Sequence, residues 1–555
     1  MADSNELVFV PLGGVGEIGM NLALYGYGPA TAREWIIVDC GVTFPTPELP
    51  GVDLVLPDTR FIEEKVSSLH GMVITHAHED HYGAVLDIWP RLGGIPVWMT
   101  PFTAGLLGAK RASEPGSPQV PVKIYNAGER FTVGPFEIEA IAVNHSIPEP
   151  VSLAITSPAG MVVHTGDWKI DPEPTIGPLI DEARFRAIGD RGVLALVCDS
   201  TNALREGESP SEEAVAKSLA RLIAEAPGRV AVTTFSSNVG RIRSVAEAAR
   251  DAGRKVMVMG RSLKRVIDVA SEIGYLEGLP EFMDEDEYGL TPRAELVILC
   301  TGSQGEPRAA LAKLARDEFK NVSLAKGDTV IFSSRVIPGN EKAILSIKNG
   351  LIDQDVQVIE DADALVHVSG HPRRNELRRM YEWLRPRIAV PVHGEAAHLV
   401  AHAELARATG VSDVPRVRDG DMVRLSPGKA EVIDQVPFGC VYKDGKLIGG
   451  DEAVGLKERR KLSFAGHVAV NVVLDDGYEM AGDPDLAAIG LPKEDASGEN
   501  FEELLVDAAV GAIDSIPRQR RRDLDLVSDA VRRAVRAAAN EAWGKKPIVT
   551  VFVTR

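Results

Sequence analysis

The segment Thr75–His81, which follows an apolar stretch, concentrates four side chains that can bind a metal ion. They are His76, His78, Asp80 and His81, in the spacing H-x-H-x-D-H. On an extended chain the first two histidines lie on the same side, and a following turn can bring the aspartate and the third histidine toward the same point. Neutral imidazoles and a carboxylate suit zinc or manganese. The segment therefore predicts a metal site. Ordinary core or surface histidines would not explain four ligand-type side chains at this spacing.

One such segment cannot supply every ligand of a two-metal centre, so further ligands are expected downstream. Three candidates follow apolar stretches in polar turns: His145, Asp167 and His393. Each is a ligand type at a predicted strand end, where a layered α/β protein would present it to a site. Taken singly, each could equally be an ordinary polar residue of a turn.

A glycine-rich segment near the start matches the dinucleotide-binding pattern G-x-G-x-x-G. It spans Gly14–Gly19 after an apolar strand, and Asp39 follows twenty residues beyond the last glycine. In dinucleotide-binding proteins this segment opens a helix whose N-terminus holds the pyrophosphate. Here the next residues, Met20–Pro29, end in turn formers and lack a helical stripe. We therefore predict a turn between two strands and no NAD site.

The composition indicates a soluble globular protein. Of the 555 residues, 45% are hydrophobic and 25% are charged, which excludes a fibrous or wholly disordered chain. No apolar run approaches the roughly 20 residues that span a bilayer, and the first residues lack the basic start and apolar run of a signal peptide. The four cysteines form no C-x-x-C pair, so neither a disulfide framework nor a thiolate metal site is indicated. A cytoplasmic protein without a membrane partner fits best.

The net charge of −19 argues against non-specific binding of nucleic acid. It argues less against an enzyme that acts on nucleic acid, because metal cations and a local basic groove can hold a phosphodiester on an acidic protein. The charge is also uneven: residues 471–510 contain eleven acidic residues and one lysine, whereas residues 517–555 contain ten Lys or Arg and four acidic residues. The basic tail is either a solvated helix face or a binding surface for RNA or protein.

The predicted secondary structure changes in rhythm at about residue 211. Before it, short apolar stretches between turn formers predict strands and few helices. After it, helices alternate with strands, which predicts a doubly wound parallel sheet. Residues 439–461 read as a turn-rich linker. The predicted strands are Leu7–Pro11, Trp35–Asp39, Gly71–Thr75, Phe136–Val143, Val151–Thr156, Met161–His164, Val230–Phe235, Lys255–Met259, Glu295–Cys300, Thr329–Phe332, Ala364–Val368, Arg387–Val392, His467–Leu474 and Ile548–Val553, and the predicted helices are Val215–Glu225, Val239–Asp251, Leu263–Ile273, Asn500–Ile513 and Leu524–Ala539.

The ligand order and several other segments resemble the ribonuclease J family, which belongs to the β-CASP nucleases of the metallo-β-lactamase superfamily. The matching segments are Pro11–Asn21, His76–His81, Asn144–Pro148, Cys198–Asn202, Thr301–Glu306, His367–His371 and Pro391–Glu395. They run through nearly all of the first 440 residues, whereas the C-terminal part is similar in size and element order only.

The resemblance implies an α/β fold, in which a metallo-β-lactamase αββα sandwich carries an inserted doubly wound β-CASP domain and is followed by a small α+β C-terminal domain. The implied limits are 1–208 and 367–445 for the sandwich, 209–366 for the insert, 446–464 for a linker and 465–555 for the C-terminal domain.

The resemblance also implies two metal ions per subunit, with Zn²⁺ expected and Mn²⁺ as the alternative. One ion would bind His76, His78, His145 and Asp167, and the other Asp80, His81, Asp167 and His393, so that Asp167 bridges them. His371, Asp80 and Asp199 are the implied catalytic residues. His371 would contact the scissile phosphate and Asp199 would orient a ligand histidine, although Asp199 could instead be a turn former and His371 a structural histidine.

A pocket for a 5′-monophosphate is implied between two segments. The segment Thr234–Asn238 ends a strand and opens a helix, so its hydroxyl, amide and N–H groups could hold a phosphate. The candidate residues of the pocket are Ser236, Ser237, Asn238, His367, Val368, Ser369, Gly370 and His371. Arg241 and Arg261 are either basic residues of the RNA channel or ordinary surface arginines.

The implied activity is that of a metal-dependent ribonuclease on single-stranded RNA, with 5′→3′ exonuclease activity that prefers a 5′-monophosphate and with endonuclease activity. A metal-activated hydroxide would attack phosphorus opposite the 3′-oxygen and leave 5′-phosphate and 3′-hydroxyl products. The implied roles are RNA decay and rRNA maturation, with mRNA and rRNA precursors as substrates and a homodimer or homotetramer as the assembly.

Two alternatives remain open. One is a metallo-hydrolase of a small thioester or lactam, because H-x-H-x-D-H also serves such enzymes; the large insert and His371 argue against it. The other is a non-catalytic RNA-binding scaffold, and the complete ligand set argues against that.

Overall fold

The computed structural model describes residues 5–555 and divides into two compact units. The first comprises Leu56–Cys440 and the described residues before position 44, and the second comprises Phe44–Val55 and Val441–Arg555. Within the described range, no helix is long and apolar enough to cross a membrane. All seven predicted metal ligands belong to the first unit.

Two sheets packed face to face form the core of the first unit. The first sheet has eight strands, in spatial order Glu431–Gln435, Asp421–Ser426, Glu6–Gly13, Leu22–Gly28, Glu34–Val38, Leu69–Val73, Val97–Met99 and Val122–Ile124. The second has six, in spatial order Ile388–Val392, Ala195–Asp199, Gly160–His164, Val151–Ser157, Phe136–Ala142 and Arg130–Val133. Side chains from both sheets, including Phe9, Tyr25 and Phe136, are buried between them. These strands confirm the predicted sandwich.

Helices cover the outer face of the six-stranded sheet. Glu182–Arg191, Arg374–Leu384 and Ala396–Ala408 contribute to a second apolar core that includes Trp168 and Trp383. The sequence predicted few helices before residue 211, and it missed both Glu182–Arg191 and Pro101–Ser113. Two glycines weaken the helical signal of Pro101–Ser113, and packing of its buried apolar side chains outweighs that low propensity.

The insert is a five-stranded parallel sheet flanked by helices, as predicted. Its strands, in spatial order, are Lys255–Met259, Leu296–Cys300, Val230–Thr233, Thr329–Phe332 and Gln357–Ile359. Its helices are Glu212–Glu225, Val239–Asp251, Arg261–Glu272, Ala310–Ala315 and Glu341–Ile352. The predicted strand Ala364–Val368 is wrong, because the edge strand comes earlier in the chain and the backbone of 364–368 is irregular. There the Val366 carbonyl accepts hydrogen bonds from the Ser333 and Arg241 side chains instead of from a strand.

The second unit contains a three-stranded sheet covered by two helices. The strands, in spatial order, are Asp485–Ile489, His467–Val473 and Ile548–Thr554, and the helices are Phe501–Asp514 and Leu524–Trp543. The basic helix buries Val527, Val531 and Val535 on one face, so its arginines lie on the solvated one. The segment 446–464, which we predict to be a linker, contains regular secondary structure. It contains the hairpin strand Leu447–Gly449 and most of helix Leu456–Ala465.

Short elements complete the fold. They are the strands Val15–Gly16, Leu54–Pro57, Gly394–Glu395 and Cys440–Asp444, the α-helices Arg60–Glu63, Glu79–Tyr82 and Val85–Ile88, and the 3₁₀ helices Val66–Ser68, Trp89–Arg91, Glu285–Leu290, Arg293–Glu295 and Arg518–Arg520. The glycine-rich segment is a turn that leads into a strand, which confirms that it opens no helix. Its residues Val15–Gly16 pair with Gly394–Glu395 and so bring the N-terminal loop next to His393.

Candidate active site

The seven predicted ligands converge where strands of the two sheets end. They are supplied by the loops after four strands and by the short helix Glu79–Tyr82: His76, His78, Asp80, His81, His145, Asp167 and His393. Their donor atoms form two groups, and within each group all donor atoms lie within 4.8 Å of one another. The first group is His76, His78, His145 and Asp167, and the second is Asp80, His81, Asp167 and His393. Asp167 belongs to both, as the sequence predicted for a bridging ligand.

The donor atoms of the first group are spaced like the corners of a tetrahedral metal site. A metal–nitrogen distance of about 2.05 Å places such donors about 3.4 Å apart. Nδ1 of His78 lies 3.2 Å from Nε2 of His76 and 3.0 Å from Nε2 of His145. Oδ2 of Asp167 lies 3.7 Å from Nε2 of His76 and 3.5 Å from Nε2 of His145. One ion at the centre of this group would be within bonding distance of all four donors.

The second group has the same spacing. Oδ2 of Asp167 lies 3.3 Å from Nε2 of His81 and 3.4 Å from Nε2 of His393. Oδ2 of Asp80 lies 3.6 Å from the His81 nitrogen and 3.9 Å from the His393 nitrogen. The Asp80 side chain is the most exposed of the four, at 30%, so this group is the one that faces solvent.

Asp39 fixes the protonation of two ligand histidines. Its Oδ2 accepts a hydrogen bond from Nδ1 of His81 at 2.7 Å and from the Thr75 hydroxyl at 2.9 Å. Because this hydroxyl donates to Asp39, its oxygen accepts from Nδ1 of His76 at 3.0 Å. Both imidazoles therefore donate through Nδ1 and turn Nε2 toward the site.

Two further histidines are oriented in the same way. The Gly370 carbonyl accepts from Nδ1 of His145 at 2.6 Å, and the Asn21 side-chain oxygen accepts from Nδ1 of His393 at 3.0 Å. The amide nitrogen of Asn21 in turn donates to the Asp80 carbonyl at 3.0 Å. The Nε2 atoms of these four histidines thus face the Asp167 carboxylate, where a cation would take the place of any proton they carry. The donor set therefore fits a metal.

The charge state of the site also fits metal binding. Burial holds the pKa values of His76 and His145 well below the usual range and lowers that of His78 to about 4, so all three are neutral ligands. Although burial acts to raise it, the charges of His393 and His81 hold the pKa of Asp167 well below its usual value. Oδ1 of Asp167 is buried without a hydrogen-bond partner. A buried carboxylate oxygen that lacks a donor is suited to a cation.

His371 lies beside the shared carboxylate, with Asp199 behind it. Nδ1 of His371 donates to Oδ2 of Asp199 at 2.8 Å and lies 3.9 Å from Oδ2 of Asp167. Although burial opposes it, the charges of Asp199 and Asp167 raise the pKa of His371 to about 9, so it carries a proton at neutral pH. Asp199 also accepts from the Thr201 N–H at 2.8 Å. Asp199 thus forms a turn and orients a histidine, although that histidine is His371 and not one of the seven predicted ligands.

The segment His367–Gly370 offers a row of backbone donors. Among the described residues, none of its four N–H groups donates to a protein acceptor, and successive free N–H groups form an anion-binding concavity. The Ser369 hydroxyl accepts from the Asn202 amide at 2.9 Å, while Val368 is buried. A Cβ on Gly370 would lie 2.4 Å from Nδ1 of His145, so only glycine allows this segment to approach the ligand.

The other predicted wall of the phosphate pocket is the turn after strand Val230–Thr233. Ser236 and Ser237 are half-buried there, and the preceding Thr234 has a buried hydroxyl without a partner. The side-chain oxygen of Asn238 accepts from the Arg241 N–H at 2.9 Å, so it caps the next helix. Only the amide nitrogen of Asn238 remains for a ligand.

Arg241 is fully buried. The predictions that it lines the RNA channel or lies on the surface are therefore both wrong. Arg261 is exposed. The Arg241 guanidinium lies 2.7 Å from Glu212 and donates to the Val366 carbonyl at 2.9 Å. It therefore connects the helix behind the serine turn to the residue before His367. The hydrogen bond to Val366 thus joins the two predicted walls of the pocket.

Sequence reasoning missed the roles of Asp39 and Asn21, and it named Arg241 for a different role. Asp39 was considered only for the dinucleotide motif. Its backbone has a φ of +63°, rare for a residue other than glycine, and this conformation is not visible in the sequence. The one available signal was an acidic residue directly after an apolar strand.

We expect Asp39→Asn to weaken metal affinity about 10- to 100-fold, because His81 loses the carboxylate that orients it and makes it more basic. The measurement is competition with a chromophoric chelator at equilibrium. Asp251→Asn is the matched control, since that aspartate is exposed and pairs only with the neighbouring Arg250. Equal affinity in Asp39→Asn and in the control would contradict the role given to Asp39.

Four family models match parts of the chain. They are described as "Beta-lactamase superfamily domain" at residues 34–191, "Ribonuclease J, beta-CASP domain" at 227–351, "Zn-dependent metallo-hydrolase RNA specificity domain" at 355–414 and "Ribonuclease J C-terminal domain" at 454–555. Together they fall in both compact units.

Full-length relatives are also similar. Ribonuclease J of Sinorhizobium meliloti is 63% identical over 100% of this chain and 98% of its own length. Ribonuclease J of Mycolicibacterium smegmatis is 38% identical over 98% of this chain and 96% of its own. Ribonuclease J of Corynebacterium glutamicum is 37% identical over 99% of this chain and 76% of its own length. A crystal structure of a protein of unknown function from Enterococcus faecalis covers 76% of this chain and 100% of its own, with a TM-score of 0.53 and 15% identity, which shows a similar fold.

Proposed function

Because this chain belongs to the ribonuclease J family, we propose that it degrades single-stranded RNA in the 5′→3′ direction from a 5′-monophosphate and also cleaves RNA internally. The chain has the metallo-β-lactamase, β-CASP and C-terminal domains of that family of metal-dependent nucleases. The observation that carries the proposal is the pair of donor groups that share Asp167, with His371 and its partner Asp199 beside them.

We propose two ions in the two donor groups, with Zn²⁺ expected and Mn²⁺ as the alternative. Bound dications would lower the pKa of water and offset the charge of a phosphodiester. The residues themselves hold the geometry: Asp167 links both groups, and Asp80 closes the solvent-facing one. A phosphodiester at this face would lie within reach of His371.

His371 supplies the proton in this proposal. Its imidazolium, held by Asp199, donates a proton to the departing 3′-oxygen or a hydrogen bond to a non-bridging phosphate oxygen. Cleavage on that side leaves a 3′-hydroxyl and a 5′-phosphate. Asp199 is a positioning residue, since it acts through His371.

The 5′-terminal phosphate would occupy the space between the serine turn and His367–Gly370. Four free N–H groups, the Ser369 hydroxyl and the hydroxyls of Ser236 and Ser237 suit an anion there. A terminal monophosphate carries more charge than an internal phosphodiester, so this pocket would favour it. Each cleavage releases a nucleotide and leaves a new 5′-phosphate for the next step.

The test is digestion of one RNA that carries either a 5′-monophosphate or a 5′-triphosphate. We expect mononucleotides from the monophosphate form, no activity in chelator and none in His78→Ala. Ser369→Ala should reduce the preference for monophosphate roughly tenfold, because a hydrogen bond to a charged group is lost, while internal cleavage of a circular RNA continues. A metal-loaded protein that cuts neither RNA would favour hydrolysis of a small thioester or lactam instead.

We further propose the cellular setting that the family resemblance implied: mRNA decay and rRNA maturation in the cytoplasm, by a homodimer or homotetramer. All four cysteines are unpaired, which supports a reducing compartment. The proposed domain limits are 1–208 with 367–445, 209–366 and 465–555.

A further inference from the structure

Three arginines beside the proposed phosphate pocket interact electrostatically with one another, and no role above uses them. Arg205 follows the turn that contains Asn202, Arg335 follows strand Thr329–Phe332, and Arg373 precedes helix Arg374–Leu384. Arg205 and Arg335 are exposed and Arg373 is half-buried. We call them the arginine trio.

Hydrogen bonds place the trio next to the pocket. The Arg335 guanidinium donates to the Asn202 side-chain oxygen at 3.3 Å. The amide of Asn202 donates to the Ser369 hydroxyl at 2.9 Å and to the His371 carbonyl at 3.0 Å. One side chain therefore separates Arg335 from the pocket wall. The Arg205 carbonyl accepts from the Arg374 N–H at 3.0 Å, which fixes the Arg205 loop against the helix that follows Arg373.

Negative charge compensates the trio only in part. Although both residues are exposed overall, partial burial of the guanidinium group and the charge of Arg373 lower the pKa of Arg205, and partial burial followed by the charge of Arg205 lowers that of Arg335. The acidic neighbour of Arg205 in the sequence, Glu206, pairs with other arginines, and Asp361 is the carboxylate that acts on the trio from a distance. Nε of Arg373 is buried without a hydrogen-bond partner. Three mutually repelling cations in a chain of net charge −19 are suited to an anion.

The trio also lies where a sheet of this kind binds ligands. Strands Val230–Thr233 and Thr329–Phe332 are parallel neighbours, and their carboxyl ends lead to the serine turn and to Arg335. In open α/β sheets the crevice outside the carboxyl ends holds the ligand. A cavity of about 290 Å³ that is lined in part by His145 has no Lys or Arg among its described lining residues. The trio therefore supplies positive charge that this cavity does not.

We propose that Arg205, Arg335 and Arg373 bind a phosphate group of the RNA strand, next to the terminal pocket. Planar guanidinium groups form paired, charge-assisted hydrogen bonds with phosphate oxygens, and they carry no sequence information. The subsite rests on the proposed ribonuclease function and adds a second anion contact to it. It explains how an acidic protein holds RNA without a basic surface overall.

The test is the salt dependence of kcat/KM for a 5′-monophosphorylated RNA with the metal-loaded enzyme. Each phosphate contact on a single strand contributes a slope of about −0.7 in log kcat/KM against log salt. We expect Arg335→Gln to flatten the slope by about 0.7 and to lower kcat/KM about tenfold at low salt. Arg335→Lys should keep the slope, since the charge remains. Arg221→Gln, on an exposed helix position paired with Glu225, is the control that leaves both values unchanged.

Two RNAs assign the source of the phosphate. A flatter slope for both 5′-monophosphate and 5′-hydroxyl RNA, with internal cleavage followed for the latter, supports an internal phosphodiester. A change with the monophosphate RNA alone supports the terminal phosphate as the group bound. If the wild type cuts RNA but Arg335→Gln and Arg205→Gln both keep its salt dependence of kcat/KM, the subsite is overturned. A wild type that cuts no RNA would instead overturn the proposed function.

Discussion

The Asp167→Asn variant is expected to bind fewer than two metal ions per chain and to cleave RNA at least about a thousandfold more slowly than the wild type. Oδ2 of Asp167 lies 3.3 to 3.7 Å from the nitrogens of four predicted ligand histidines. An amide removes the negative charge that offsets two adjacent dications. The loss of several kcal/mol of electrostatic stabilisation corresponds to this change in rate.

Metal content per chain and the single-turnover rate on a labelled RNA measure this effect together. Asp251→Asn is again the control for the general effect of removing a carboxylate. Two tightly bound ions and a near wild-type rate in Asp167→Asn would mean that Asp167 does not bridge the two donor groups.

The His371→Ala variant should keep both metal ions and lose roughly 10²- to 10⁴-fold in the single-turnover rate, which is the range for a proton donor in the transition state. Although burial opposes them, the charges of Asp199 and Asp167 raise the pKa of His371 to about 9, and Asp199 holds the imidazole at 2.8 Å. Asp199→Asn should lose less, about 10- to 100-fold, because the imidazole remains but is no longer oriented by a carboxylate.

The metal content of His371→Ala distinguishes proton donation by His371 from metal binding by His371. His371 also forms a third group of donor atoms with Asp167, Asp199 and His393. Loss of an ion from His371→Ala would therefore make His371 a ligand, and an unchanged rate would leave it without a role in the chemistry. A slow variant with two ions supports proton donation.

The metal ligands could be predicted from the sequence because residue type and spacing are directly visible there. The H-x-H-x-D-H segment indicated a metal site by itself, position at predicted strand ends offered His145, Asp167 and His393 as further ligands, and the family resemblance assigned all seven to two ions. The periodic pattern also predicted most strands and the doubly wound insert, since buried strands there are continuous apolar runs. The structure then brought all seven side chains into two groups with one shared member.

The remaining features depend on tertiary contacts. Asp39 orients two histidines through a left-handed backbone conformation, and Arg241 is buried by an ion pair with a residue on another helix. The arginine trio combines side chains from Arg205 to Arg373, so no local pattern reveals it. Helix Pro101–Ser113 was missed for a related reason, because packing outweighs its two glycines.

The most direct test of the central claim is a metal titration of the chelator-stripped protein, with RNA cleavage measured at each addition. We predict that the stripped protein is inactive, that activity on 5′-monophosphorylated RNA returns with Zn²⁺ or Mn²⁺, and that it reaches its maximum at two equivalents per chain. Full RNA cleavage by protein that retains less than about a tenth of an equivalent, or no cleavage after two equivalents have bound, would contradict the assignment of this site as a two-metal ribonuclease centre.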